Sequence, residues 1–305
     1  MQTRTIAVIG SGAWGMALAR LYCSKSIVTV LTRKIVKRTD NLNIALTSKI
    51  DDLIDQDIVF IVIPSQKVRV LCQQLVGKIK RTANIIICSK GIEQHSNYLM
   101  SEVVEKFFPN NCIAVLTGPN FASELDKALP AISTIANKDL EIAQNLATEL
   151  SVENFKLYPC KDVIGVQICG ALKNVLAIVC GIATGFNLGE NFKAALLTNG
   201  IKEISKLVAA KGGNVSSLFE PGGIGDIILT CNSHQSRNMS LGLKIAQKER
   251  FEMTMVDRNI EGVYSVISLQ QIIQKLDLEL PIFDFVCNVI SEQSNVSAQE
   301  IKHII

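Results

Sequence analysis

The chain carries little net charge. Its 31 lysines and arginines against 28 aspartates and glutamates leave a formal +3 over 305 residues. Nothing electrostatic therefore favours nucleic acid or an acidic membrane surface as a partner, while small anionic ligands stay open. Metal-site spacing is also missing. The three histidines lie far apart and the nine cysteines (23, 72, 88, 112, 160, 169, 180, 231 and 287) form no C-x-x-C pair, so no metal is expected. Many of those cysteines sit inside apolar runs and read as reduced core thiols of a cytoplasmic protein. The start of the chain lacks an apolar core of signal-peptide length. The most hydrophobic stretch, residues 163–186, is interrupted by Lys173, Asn174 and glycines, so no membrane insertion is expected. No internal repeat or low-complexity tract is present.

What is present is a series of short apolar runs with helical stretches between them. The runs are Thr5-Ile6-Ala7-Val8-Ile9, residues 27–32, 57–63, 84–88, 112–116 and 131–136. β-branched runs of this length imply strands covered on both faces, hence a largely parallel sheet with crossover helices. Beyond about residue 160 the strand signal fades and long helical patterns take over, punctuated by glycine clusters at 212–213 and 221–225. The expected fold is α/β: a Rossmann-type doubly wound domain over residues 1–161, followed by an all-α domain over 162–305.

The first strand runs into Gly10-Ser11-Gly12-Ala13-Trp14-Gly15 and an alanine-rich helix start. This is the G-x-G-x-x-G fingerprint in its required context, in which backbone N–H groups approach a pyrophosphate at a helix N-terminus. The second strand ends at Arg33-Lys34, where NAD-specific proteins carry an acidic residue for the ribose 2′-hydroxyl. A guanidinium there suits a 2′-phosphate, so NADP(H) is expected to be accepted. NAD(H) stays open, because an arginine can also stack on adenine.

Ligands of open α/β sheets bind outside the carboxyl ends of the strands. Those ends carry Lys90-Gly91 and Gly118-Pro119-Asn120-Phe121-Ala122. Lys90 is placed to meet a substrate anion, or is an ordinary surface lysine. Lys173 is more telling, because it stands in Cys169-Gly170-Ala171-Leu172-Lys173-Asn174-Val175-Leu176. An ammonium among such neighbours must be paired, snorkelled to water or put to chemical use. Read as a helix, this segment puts Val166, Gly170 and Ala177 on the face of Lys173, which leaves room for a ligand. Asp226, delivered by the glycine-rich loop, reads as a site carboxylate or a helix N-cap. Ser236-Arg237-Asn238 reads as a donor-rich anion site or a polar helix start.

In order along the chain, these pieces resemble the NAD(P)-dependent sn-glycerol-3-phosphate dehydrogenase family in its bacterial form. The matching residues are Gly10–Gly15, Lys90-Gly91-Ile92-Glu93, Gly118–Ala122, Ile164-Gly165-Val166-Gln167, Ala171–Val175, Gly225-Asp226, Leu229-Thr230-Cys231, Ser236–Asn238 and Glu261-Gly262. The resemblance implies reversible reduction of dihydroxyacetone phosphate for glycerophospholipid synthesis by a cytoplasmic homodimer. It implies Lys173 as proton donor and acceptor, Asp226 beside it at the substrate, and Lys90 touching substrate and cofactor. Gly118, Asn120, Ser236, Arg237 and Asn238 would line the substrate site. Gly10, Gly12, Ala13, Trp14, Gly15, Arg33, Ala122, Arg237, Ile260 and Glu261 would contact cofactor.

Three departures stand out. Asn120 replaces a commoner Ser or Thr, Asn199 stands where the family tends to have Arg, and the stretch Lys34–Lys49 is short and lacks a Leu-Pro loop. A β-hydroxyacid dehydrogenase and a catalytically silent dinucleotide sensor remain as alternatives.

Overall fold

The structure is a computed structural model and describes residues 4–33, 43–247, 260–292 and 296–305. Two compact units emerge: Met1–Ser89 with Met100–Val163, and Lys90–Leu99 with Ile164–Ile305. A single boundary in the linear sequence does not contain the second feature of that division, the ten-residue excursion 90–99.

The first unit is the expected α/β fold. Its strands are β1 (Thr5–Ile9), β2 (Ile27–Leu31), β3 (Ile44–Thr47), β4 (Ile58–Ile61), β5 (Asn84–Ile87), β6 (Cys112–Thr117), β7 (Ala131–Ala136) and β8 (Phe155–Cys160). Helices α1 (Ala13–Tyr22), α2 (Val68–Leu75), α3 (Met100–Glu105), α4 (Ala122–Leu125) and α5 (Leu140–Leu150) connect them. The sheet order is β3-β2-β1-β4-β5-β6-β7-β8. All pairs from β3 to β6 are parallel, β7 is antiparallel to β6, and β8 runs parallel to β7. Every residue of β4 is buried, as its continuous apolar run requires for a strand covered on both faces. Tyr22 of α1 stacks on Phe60 of β4 at 5.6 Å and donates its hydroxyl to the Leu150 carbonyl at 3.0 Å, so the one polar atom of this core tyrosine is satisfied. Because β1 lies between β2 and β4, its carboxyl end is the point where the winding reverses direction. Of the short stretch Lys34–Lys49, residues 34–42 lie outside the described ones, and the remainder supplies β3.

The second unit is helical: α6 (Val163–Gly185), α7 (Glu190–Ala210), α8 (Asp226–Asn232), α9 (Arg237–Ala246), α10 (Glu261–Leu276), α11 (Pro281–Glu292) and α12 (Ala298–Lys302). Among the described residues α6 is the one helix long and apolar enough to cross a membrane, and it forms the buried centre of this unit. Its crossing with α9 is a backbone approach. A Cβ on Gly181 would run into the Met239 carbonyl, and one on Gly242 into the Ile178 carbonyl. Only glycine at both positions lets the helices come this close. Glu203 of α7, 4% exposed, accepts from the Ile282 and Phe283 amides at 3.0 and 3.2 Å. It thereby caps α11 from a neighbouring helix, where the helix dipole favours a carboxylate.

Candidate active site

In the first unit the glycine fingerprint occupies the β1–α1 turn. Gly10 has φ +120°, and a Cβ there would strike the Val62 carbonyl; a Cβ on Gly15 would strike the Gly10 carbonyl. These two glycines are required by the turn and by the packing of α1 on the sheet. Gly12 differs. It is the N-cap of α1 without a side chain to cap, its Cβ would meet nothing within 4 Å, and the first turn carries no acidic residue. An open helix N-terminus free of carboxylates is the arrangement that receives a pyrophosphate. Gly12 and Ala13 are exposed and Trp14 is half-buried, its ring edge-on to Phe155 at 6.4 Å. At the end of β2, Thr32 is buried against Ser11, the hydroxyls 2.7 Å apart, and Arg33 is exposed. Among the described residues no carboxylate follows β2 at this position. The residues present fit a dinucleotide.

Gly118 follows β6 and is buried against Ser133 of β7, where a Cβ would meet backbone. Asn120 donates its amide to the Ser133 hydroxyl, and half-buried Ala122 opens α4. Asn120 is thus tied to the sheet by one of its two amide hydrogens.

The second unit brings three of the expected charges together. Lys173 Nζ on α6 lies 2.6 Å from Asp226 Oδ1 at the start of α8 and 2.8 Å from the Thr230 hydroxyl one turn further on. Lys90 Nζ lies 2.7 Å from the other oxygen, Asp226 Oδ2. Side-chain exposure falls from 23% at Lys90 to 9% at Lys173 and 2% at Asp226. One carboxylate therefore bridges two ammoniums, and the local sum is one positive charge. Burial pushes Lys173 down to about 8; Asp226 opposes this and the nearby Lys90 reinforces it. Burial alone would raise Asp226, but Lys173 and Lys90 together outweigh it and hold the carboxyl below its ordinary value. A lysine tuned near neutrality, in contact with hydrogen-bond partners that fix its direction, can both donate and accept a proton.

Asp226 follows the turn Pro221–Gly225 and is the first residue of α8, with Gly225 as the cap. It is therefore not an N-cap, and its oxygens accept from the two lysines, with the Thr230 hydroxyl also donating to Oδ1 at 3.4 Å. Ser236 does begin a helix: its Oγ accepts from the Met239 amide at 3.3 Å and caps α9. Asn238 donates to Asn174 Oδ1 at 3.0 Å and accepts from the Gly262 amide at 3.1 Å, joining α6, α9 and α10 through one buried amide. Arg237, between them, is exposed. Ile260 is buried and Glu261 half-buried at the start of α10. In the sequence Thr230 and Asn174 stand only as motif members, with no role of their own. The signal for Thr230 is its place four residues after Asp226, which puts both on one face of α8.

Two family models match: the N-terminal model of NAD-dependent glycerol-3-phosphate dehydrogenase over residues 38–143, and the C-terminal model over residues 162–300. The glycerol-3-phosphate dehydrogenase [NAD(P)+] of Parvibaculum lavamentivorans is 35% identical over 96% of this chain and 94% of its own length. That of Wolbachia sp. subsp. Drosophila simulans is 36% identical over 95% and 97%. The crystal structure of the Coxiella burnetii glycerol-3-phosphate dehydrogenase superposes with a TM-score of 0.87 at 28% identity, covering 99% of this chain and 98% of that one. The chain belongs to the NAD-dependent glycerol-3-phosphate dehydrogenase family.

Proposed function

We propose that the chain catalyses the reversible NAD(P)H-dependent reduction of dihydroxyacetone phosphate to sn-glycerol 3-phosphate, with Lys173 as the general acid and base. The observation that carries this reading is the Lys173–Asp226–Lys90 cluster, built on the buried Lys173–Asp226 pair and completed by Thr230. The nicotinamide, when bound, supplies or receives the hydride. As hydride adds to C2, the carbonyl π pair moves to the oxygen and Lys173 Nζ delivers a proton there. The ketone thereby gains one hydride and one proton, and Lys173 is left neutral until it regains a proton from solvent. In the reverse direction the neutral amine takes the hydroxyl proton as C2 loses hydride. The excess positive charge of the cluster stabilises the developing alkoxide. Asp226 and Thr230 hold the amine in place, so that no reorganisation is needed at the moment of transfer.

In this reading Lys90, Gly118, Asn120, Ser236, Arg237 and Asn238 receive the substrate, with Arg237 supplying a fork suited to phosphate. Gly10, Gly12, Ala13, Trp14, Gly15, Arg33, Lys90, Ala122, Arg237, Ile260 and Glu261 receive the cofactor. The exposed Arg33 in place of an acidic residue supports acceptance of NADPH. A cytoplasmic homodimer supplying phospholipid synthesis completes the reading, on the strength of the family resemblance.

The test is cofactor oxidation on addition of dihydroxyacetone phosphate, with NADH and NADPH in parallel and with 2- and 3-keto carboxylic acids as competing substrates. Oxidation by the phosphorylated ketone is expected. Preference for a carboxylate substrate would assign a β-hydroxyacid dehydrogenase, and binding of cofactor without turnover of any substrate would assign a silent sensor.

A further inference from the structure

Lys90 reaches Asp226 because of the segment it belongs to. After β5 the chain turns at Gly91, with φ +156°, and forms a hairpin. Ile92 bridges Leu99 in antiparallel fashion, the Glu93 amide donates to the Tyr98 carbonyl at 2.9 Å, and His95 and Asn97 at the tip take left-handed φ of 70° and 59°. This hairpin, Lys90–Leu99, groups with the second unit. Ile92 and Leu99, nearly unexposed, are pegs in that unit's core. Three polar bonds then join it to one stripe of α10. Gln94 Nε2 donates to the Tyr264 carbonyl at 3.2 Å, Ser268 Oγ donates to the Glu93 carbonyl at 2.9 Å, and Asn97 Nδ2 donates to Gln271 Oε1 at 3.0 Å. Residues 264, 268 and 271 follow the i, i+4, i+7 spacing of a single helix face.

The three bonds are unequal. The Asn97–Gln271 bond is exposed and competes with water. The Ser268 bond is buried, and Ser268 itself is 0% exposed. A serine in a helix interior is worse than alanine in propensity and carries a polar group that burial penalises, unless the hydroxyl is bonded. Here the hydroxyl goes to the hairpin, three residues from Lys90.

We propose that Ser268 is a positioning residue for the reaction: its clasp on Glu93 fixes the hairpin and so sets where the Lys90 ammonium sits on Asp226, beside Lys173. The inference rests on the assignment of Lys173 made above. The apolar pegs keep the hairpin attached when the clasp is lost, so Ser268→Ala loosens Lys90 without releasing the segment. The titratable groups facing Lys173 are Asp226 and the Cys231 thiol from α8 and Lys90 from the hairpin. Of these only Lys90 is carried on the hairpin.

The experiment is the pH profile of kcat/KM for ketone reduction in the wild type, Ser268→Ala, Lys90→Gln and the double variant, each checked by thermal melting. Reduction needs protonated Lys173, so activity falls as pH rises through its pKa. Lys90→Gln removes a like charge, and the alkaline limb should move to higher pH. Ser268→Ala should move it the same way but less, with kcat/KM lowered about three- to tenfold, the size of one lost buried hydrogen bond. In the Lys90→Gln background, Ser268→Ala should leave the limb where it is. A Ser268→Ala variant that melts lower but keeps the wild-type limb overturns the proposal, as does a limb shift that is equal with and without Lys90. A Lys173→Ala variant separates the two levels. If it remains active, the assignment of Lys173 fails and the proposal with it; if it is inactive while Ser268→Ala leaves the limb unmoved, the clasp alone is overturned.

Discussion

The two units prepare chemistry in opposite ways. In the first, the β1–α1 turn is shaped by missing side chains: Gly10 and Gly15 have no room for a Cβ, and Gly12 has room that nothing fills. In the proposed reading its ligand groups are backbone amides, whose positions the fold fixes. In the second, the working groups are side chains with opposite charges, buried to 9% and 2% exposure, and their properties come from one another. A backbone site tolerates no change of shape but has nothing to titrate. A buried ion cluster tolerates small changes of shape, yet each member resets the others. Substitutions should therefore act on binding and fold in the first unit, and on turnover and pH dependence in the second.

The largest expected effect is that of Lys173→Ala. It should lower kcat by about 10²-fold or more, the worth of a positioned acid and its charge. Asp226 keeps Lys90 as a partner, so the protein should fold and the cofactor Kd should change by less than about twofold, within the spread of independent sites. Stopped-flow reduction and fluorescence titration check both statements.

Glycine substitutions sharpen the contrast within the first unit. Gly15→Ala should cost about 1–3 kcal/mol of stability through backbone overpacking, together with cofactor binding. Gly12→Ala should lower stability less than Gly15→Ala, by no more than the preference for Gly over Ala at an N-cap, while weakening cofactor binding, because the methyl group enters the open face. If both variants lose stability equally, Gly12 is a packing glycine and the open-cradle account fails.

Arg237→Ala should raise KM for both substrate and cofactor and lower kcat, with Arg237→Lys rescuing only in part, since a point charge does not reproduce the planar fork. Unchanged steady-state constants would reduce Ser236-Arg237-Asn238 to the helix start that Ser236 visibly makes. The smallest effect is reserved for Arg33→Ala, expected to weaken NADPH by about tenfold, one charge-assisted hydrogen bond, and NADH much less. Equal losses in calorimetric Kd for the two cofactors would limit Arg33 to stacking.

The same contrast governs what could be read from the sequence. Glycine spacing and continuous apolar runs are local signals, so the fingerprint, the first two strands and β4 to β7 were legible. Strand β8 was not, because Phe155–Cys160 alternates buried and exposed positions and includes Pro159, the pattern of an edge strand. Strand β3 is four residues long and has little periodicity to offer. The reversal at β7 was hidden because an apolar run announces a strand but not its direction. Lys173 was legible as an anomaly in an apolar helix. Its partner Thr230 was not, since a threonine in a helix is ordinary until a lysine from 57 residues away reaches it. Nor could a linear boundary reveal that Lys90 travels with the second unit on a hairpin.

In the proposed mechanism Lys173 moves the proton, and its two charged neighbours tune it in opposite directions. The direct measurement is the pH dependence of kcat/KM for reduction in the wild type, Lys90→Gln and Asp226→Asn. The wild-type alkaline limb should lie near pH 8, moved up when the like charge of Lys90 is removed and down when the opposing charge of Asp226 is removed. A limb that stays in place in both variants would contradict this mechanism.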